Sequence, residues 1–115
     1  FIFITYLLNN WLTQIRKIYN FENTIDLKIT DFFITKYEKS TFLDIKKMDN
    51  TFLTLNIQLN DKIDFMKGDI LFNEEESIMI EQGDMLIFNG KRKRTNGAVL
   101  DGAKYVLVIM IDLKL

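Results

Sequence analysis

The residues of this 115-residue chain that could carry chemistry are few in kind. There is no His and no Cys. A thiolate metal site, a disulfide framework and a cysteine nucleophile are therefore excluded, and metal ligation falls to carboxylates, amides, hydroxyls and carbonyls. Those donors suit magnesium or calcium better than zinc or a tightly held iron. Lys91-Arg92-Lys93-Arg94 sets four positive charges in a row after an Asn89-Gly90 turn. Such a loop can meet the phosphates of an RNA, releasing counterions as it does so. The plainer reading is a solvated hairpin tip, because 15 basic against 16 acidic residues leave a net charge of -1 and no supporting field. Thr54, Asn56 and Gln58 recur at every second position and aim hydroxyl and amide groups to one side of a strand.

The elements that must position these groups follow from the apolar pattern. With 48% hydrophobic residues, the chain is long enough to bury one core, and a single domain over 1–115 is expected. It opens on Phe1 rather than Met, which leaves room for a preceding segment. Ile4, Leu7, Leu8, Trp11, Leu12, Ile15, Ile18 and Tyr19 recur at helical spacing, so residues 1–20 are expected to form an amphipathic helix packed on a sheet. The uncharged opening is too short to span a bilayer, and no membrane partner is expected.

From residue 27 onward the period becomes two. Leu27 to Tyr37 and Thr51 to Leu59 read as strands, and shorter ones are expected at Asp69 to Phe72, Ser77 to Ile80, Met85 to Phe88 and Lys104 to Leu113. Turn signals at Gly68, Gly83, Asn89-Gly90 and Asn96-Gly97 separate them. Leu53, Leu55, Ile57 and Leu59 face the core in this reading, and periodicity aims Thr54, Asn56 and Gln58 at the opposite side, which is solvent in the plainer reading or else a polar cavity. One helix followed by many short strands points to a mostly β (α+β) sandwich or jelly roll.

The stretch from Phe33 to Asp112 (FITKYEKSTFLDIKKMDNTFLTLNIQLN, then GDMLIFNGKRKRTNGAVLDGAKYVLVIMID) resembles the C-terminal domain of the lysyl and prolyl hydroxylases, which are iron(II) and 2-oxoglutarate dependent oxygenases. It covers about 80 residues, and its most specific parts are the TLNIQLN strand and the hairpin region from GDMLIFNG to GAKYVLV. The resemblance implies a double-stranded β-helix (jelly roll) over 27–115, with the strand at TLNIQLN lining a cosubstrate pocket. It also implies iron held by a His-x-Asp and a distal His, leaving open positions for 2-oxoglutarate and oxygen.

In this chain Lys47-Met48-Asp49 occupies the His-x-Asp place, so that Asp49 matches the carboxylate and Lys47 replaces a histidine. The distal histidine falls at Arg94, or at Lys93 after a shift of one residue. Neither a guanidinium nor an ammonium has a lone pair to offer a metal. Asp49, Lys47 and Arg94 are instead expected to form an ion-pair cluster at the former metal position. Gly102-Ala103-Lys104-Tyr105 matches the family's Gly-x-Arg-Tyr, putting Lys104 where the far carboxylate of 2-oxoglutarate is bound. Tyr37, Thr54, Asn56 and Gln58 are the other candidates for that pocket. Read without the resemblance, Lys104 is a solvated strand residue and Tyr37 a core aromatic.

These readings lead to a non-catalytic descendant of an oxygenase, kept as a binding or structural component of a larger assembly, with a ribonucleoprotein as one setting for Lys91, Arg92, Lys93 and Arg94. No cofactor is expected, iron least of all, although a 2-oxoglutarate-like anion fits Lys104. The alternative is a working lysyl or prolyl hydroxylase with atypical metal ligands. The compartment is not identified by the residues, and an intracellular setting is the expectation.

Overall fold

The computed structural model describes residues 13, 14, 17, 27–39, 48–72 and 76–113. The chain falls into two compact units, Phe1–Lys28 with Leu113–Leu115, and Ile29–Asp112. The expected helix over 1–20 lies outside the described residues apart from Thr13, Gln14 and Lys17, whose backbone is helical. Lys47 lies outside them as well. Everything that positions the candidate site belongs to the second unit.

Among the described residues, eight strands run in the order β1 (Leu27–Glu38), β2 (Leu53–Gln58), β3 (Phe65–Lys67), β4 (Ile70–Phe72), β5 (Glu76–Ile78), β6 (Met85–Asn89), β7 (Thr95–Asn96) and β8 (Val99–Leu113), with a 3₁₀ turn at Lys62–Asp64. They form two antiparallel sheets. One has the order β1-β8-β2-β6, with β3 also pairing on β8, and the other has the order β5-β4-β7. The protein is mostly β, as its period-two patterning requires.

β2 is central. Its residue Asn56 lies opposite Leu86 of β6 and Val108 of β8, and Thr54 lies opposite Phe88 and Met110. Residues directly opposite one another share a face of an antiparallel sheet, so Thr54, Asn56 and Gln58 stand on the same side as Leu86, Phe88, Val106 and Val108. That side is the interior. Phe88 and Leu86 pack with Ile70, Phe72 and Ile78 of the other sheet, and the rings of Phe72 and Phe88 meet edge to face at 5.0 Å. Val106 and Val108 pack with Tyr37, Phe65 and Val99, backed by Met110.

Both faces of β2 are buried along its whole length. The expectation that its polar face meets solvent is therefore corrected: Thr54, Asn56 and Gln58 are each no more than 1% exposed. The alternation marks two different buried environments rather than inside and outside. A second correction concerns the segments around GDMLIFNG and GAKYVLV, which do not form a hairpin. β6 and β8 each pair with β2, which lies between them. β8 also begins earlier than expected, at Val99. It passes through Gly102, whose φ of +72° and whose closeness to Asp64 (a Cβ there would stand 2.0 Å from the Asp64 carbonyl oxygen) admit no side chain.

Candidate functional site

The site is built by three segments that converge on the polar face of β2. The first is the loop leading into β2. Asn50 takes a left-handed φ of 57°, and its N–H donates to the Gly90 carbonyl at 2.7 Å. This pins the loop against the Asn89-Gly90 turn and brings Asp49 and Thr51 over the start of the strand. Gly90 is required there, because a Cβ would stand 1.9 Å from Thr51 Oγ1 and 2.5 Å from its carbonyl oxygen. Gly90→Ala is expected to lower stability by about 2 kcal/mol or more. An unchanged melting temperature would show that the loop is not held in this way.

The second segment is the basic run. The Asn89 carbonyl accepts from the Arg92 N–H at 3.0 Å and the Asn89 side chain accepts from the Lys91 N–H at 2.9 Å. This tight turn points three of the four basic side chains outward and the fourth inward. Lys91, Arg92 and Lys93 are exposed. Arg92 pairs with Glu76 and lies over the Phe72 ring, 4.5 Å from its centroid. Arg94 is 4% exposed, which corrects its expected place among the RNA-contacting residues. A guanidinium buried under Phe88 cannot reach a phosphate outside.

Arg94 joins Asp49 instead. Its Nη2 donates to Asp49 Oδ1 at 3.2 Å, and both side chains are nearly withdrawn from solvent, at 4% and 6% exposure. Its Nη1 donates to Asn56 Oδ1 at 3.3 Å, and the guanidinium lies 4.9 Å from the centre of the Phe88 ring. The second carboxylate oxygen, Asp49 Oδ2, accepts from Thr54 Oγ1 at 3.0 Å, and Thr51 Oγ1 lies 3.0 Å from the same hydroxyl. Each oxygen of Asp49 thus has a donor. A buried charge pair of this kind persists only when hydrogen bonds satisfy its remaining groups, and Asn56, Thr54 and Thr51 supply them.

The third segment is β8, which carries Lys104. The side chain is 3% exposed, so the reading of Lys104 as a solvated residue is corrected. Its Nζ donates to the Gly68 carbonyl at 2.7 Å and stands 5.9 Å from the centre of the Tyr37 ring. Burial brings its pKa down from 10.5 to about 8; the Asp69 carboxylate opposes the change and the Arg94 charge adds to it. Tyr37 is buried among Phe65, Val99, Val106 and Val108. Burial raises its hydroxyl pKa, while the Arg94 charge works against the rise. Arg94 therefore reaches both groups electrostatically, and one interior field links Asp49, Arg94, Tyr37 and Lys104.

At the far end of β2, Gln58 Nε2 donates to the carbonyl and side-chain oxygens of Asn60, each at 3.1 Å. Asn60 in turn donates to the Ala103 carbonyl at 2.8 Å, tying β2 to the segment that presents Lys104. Among the described residues, two buried atoms have no protein partner, the acceptor Gln58 Oε1 and the donor Arg94 Nε. Leaving such groups unsatisfied costs about 1–3 kcal/mol each, so both are points at which a water or a small polar ligand would be held.

Asp49, Arg94, Thr54 and Asn56 are thus joined by hydrogen bonds, with Lys104 and Tyr37 near enough to feel their charges. Thr51, Asn60, Gly90 and Phe88 complete the site and were not expected from the residues. Only the Asn89-Gly90 turn carried a local signal for any of them. No family model matches the chain, and no curated protein matches it. Among solved structures the chain is similar to an RmlC-like cupin protein from Desulfovibrio desulfuricans, with 19% sequence identity and a TM-score of 0.47, covering 76% of this chain and 81% of that one.

Proposed function

We propose that this chain is a double-stranded β-helix domain of the 2-oxoglutarate oxygenase type that has lost its chemistry and serves as a binding or structural component of a larger assembly. The observation that carries the reading is the Asp49–Arg94 pair. Iron(II) of the facial-triad kind takes two imidazoles and a carboxylate. Here the carboxylate that matches the family's ligand holds a guanidinium with one oxygen and a threonine hydroxyl with the other. Among the described residues, no three His, Cys, Asp or Glu side chains lie close enough to hold a metal. The residues present do not fit iron. The permanent charge of Arg94 supplies the positive centre that Asp49 requires.

The rest of the interior retains features suited to binding. Lys104 carries a buried positive charge at neutral pH, and among the described residues its ammonium donates to the Gly68 carbonyl and not to a carboxylate. Gln58 Oε1 and Arg94 Nε add an acceptor and a donor, so a small anion resembling 2-oxoglutarate is the ligand class this interior would take. If the assembly is a ribonucleoprotein, Lys91 and Lys93 are the exposed cations through which it meets RNA, since Arg92 is engaged by Glu76.

The reading is tested by incubating the protein with iron(II) and 2-oxoglutarate and measuring succinate. Succinate is expected to stay at the level of a no-protein control. Turnover above that level would overturn the reading and favour a hydroxylase with atypical ligands.

A further inference from the structure

β1 is twelve residues long and stands at one end of the order β1-β8-β2-β6. A strand with one covered face alternates between buried and exposed positions, yet residues 30–34 of β1 are exposed without a break. Over this stretch neither face is covered. The exposed side chains include Phe32, Phe33 and Ile34, at 45%, 39% and 65%. The chain contains no proline, and the only charge between Ile29 and Thr35 is Asp31. Among the described strands, only β8 pairs with β1. A long apolar strand of this kind at the end of a sheet is a template for a further strand.

The geometry points to a second copy of this chain as that strand, joined antiparallel through β1 and centred on Phe33. Backbone N–H and C=O groups of successive residues point to opposite edges, so a strand pairing with its own copy can bring together only residues of like parity. Three central registers satisfy this. Centring on Phe32 places Lys28 opposite Lys36 and Asp31 opposite Phe33. Centring on Ile34 places Phe32 opposite Lys36 and Asp31 opposite Tyr37. Centring on Phe33 places Phe33 opposite itself, Phe32 opposite Ile34, Ile29 opposite Tyr37, Asp31 opposite Thr35 and Lys28 opposite Glu38, each of the unlike pairs occurring twice.

Opposite charges and apolar pairs across strands are favourable, while like charges placed directly opposite are not. The register centred on Phe33 alone puts apolar against apolar and Lys28 against Glu38. Glu38 already lies 3.4 Å from Lys36 of its own strand, so Lys28 of the second copy would complete a three-charge cluster at each end. A strand edge covers less than the roughly 1,200–2,000 Å² of a standard stable interface. The pairing is therefore weak and belongs to a chain concentrated within an assembly, in keeping with the structural role but independent of it.

The absence of Cys makes the register readable, because a single introduced cysteine can cross-link only to its own counterpart. In oxidising buffer, Phe33→Cys is expected to form a disulfide-linked dimer roughly tenfold faster than Phe32→Cys or Ile34→Cys. At the latter positions the two copies of the cysteine lie diagonally, about 7–8 Å apart, beyond disulfide reach. Phe33→Lys, which places two ammonium groups face to face, is expected to weaken self-association about tenfold in sedimentation equilibrium while leaving the melting curve in place. A chain that stays monomeric across the concentration series, or equal cross-linking at all three positions, would overturn the proposal. Neither outcome bears on succinate formation, so this pairing and the loss of catalysis stand or fall separately.

Discussion

Asp49→Ala is expected to destabilise the fold by about 3–5 kcal/mol, the cost of leaving one charge of a buried pair without its partner. The loss has a specific source. Arg94 is 4% exposed, and among the described residues its Nε already has no acceptor and after the substitution only Asn56 would accept from the guanidinium. The Thr54 hydroxyl would lose its acceptor at the same time. A second substitution separates loss of a necessary contact from loss of charge balance. Arg94→Met added to Asp49→Ala removes both charges while keeping aliphatic volume against Phe88, and is expected to restore most of the lost stability, because apolar replacements of buried ion pairs are often neutral. Chemical denaturation of the two single variants and the double variant measures the coupling. A single Asp49→Ala variant as stable as the parent would show that the pair is not what holds the loop, β2 and the Arg94 segment together.

Lys104→Met is expected to make the protein more stable at neutral pH and to remove part of its pH dependence. The folded amine has a pKa of about 8 against an ordinary 10.5, which corresponds to about 3 kcal/mol of penalty on the charged form. Below about pH 8 the amine is protonated in both folded and unfolded chains, and the whole penalty opposes folding. Between about 8 and 10.5 the folded protein has released a proton that the unfolded chain still holds, so stability rises with pH. Methionine keeps the aliphatic length and has no such titration. Leaving the Gly68 carbonyl without its 2.7 Å donor returns about 1–3 kcal/mol, so the net gain at pH 7 is at most about 2 kcal/mol. Tyr37, whose raised pKa makes the folded state lose stability at still higher pH, sets the upper end of the useful window. Denaturation of parent and variant between about pH 7 and pH 9.5 should show the parent gaining on the variant. Parallel profiles would mean that Lys104 is not buried as a charge.

Much of this arrangement was legible in the residues, for reasons that also explain the failures. β2 and β6 were recognisable from period-two runs bounded by Gly and Asn, and β4 and β5, with three residues each, only from the apolar segments between turn signals. β3 and β7, with three and two residues, are too short to show any period. The alternation Leu53, Leu55, Ile57 against Thr54, Asn56, Gln58 correctly separated two faces. It could not say that both are buried, because period two reports a difference between faces and nothing about what lies against them. Arg94 was misjudged in one role because three neighbouring cations made it look like part of a surface patch, and only the tight turn at Asn89-Gly90 decides which of the four points inward. Lys104 was misjudged in isolation for the same kind of reason, since a lone charge in a strand is usually solvated. The resemblance to the hydroxylases marked Asp49 and Arg94 as neighbours although 45 positions separate them. No local pattern contains that information.

In the proposed reading Asp49 serves Arg94 and does not serve a metal. The most direct test is a titration of the whole chain with manganese(II), a spectroscopically visible stand-in for iron(II), followed by electron paramagnetic resonance. At one equivalent the sharp signal of the free aqueous ion is expected to remain at full intensity with the parent protein. Quenching of that signal by the parent protein, abolished by Asp49→Ala, would show that the carboxylate holds a metal and would contradict the account.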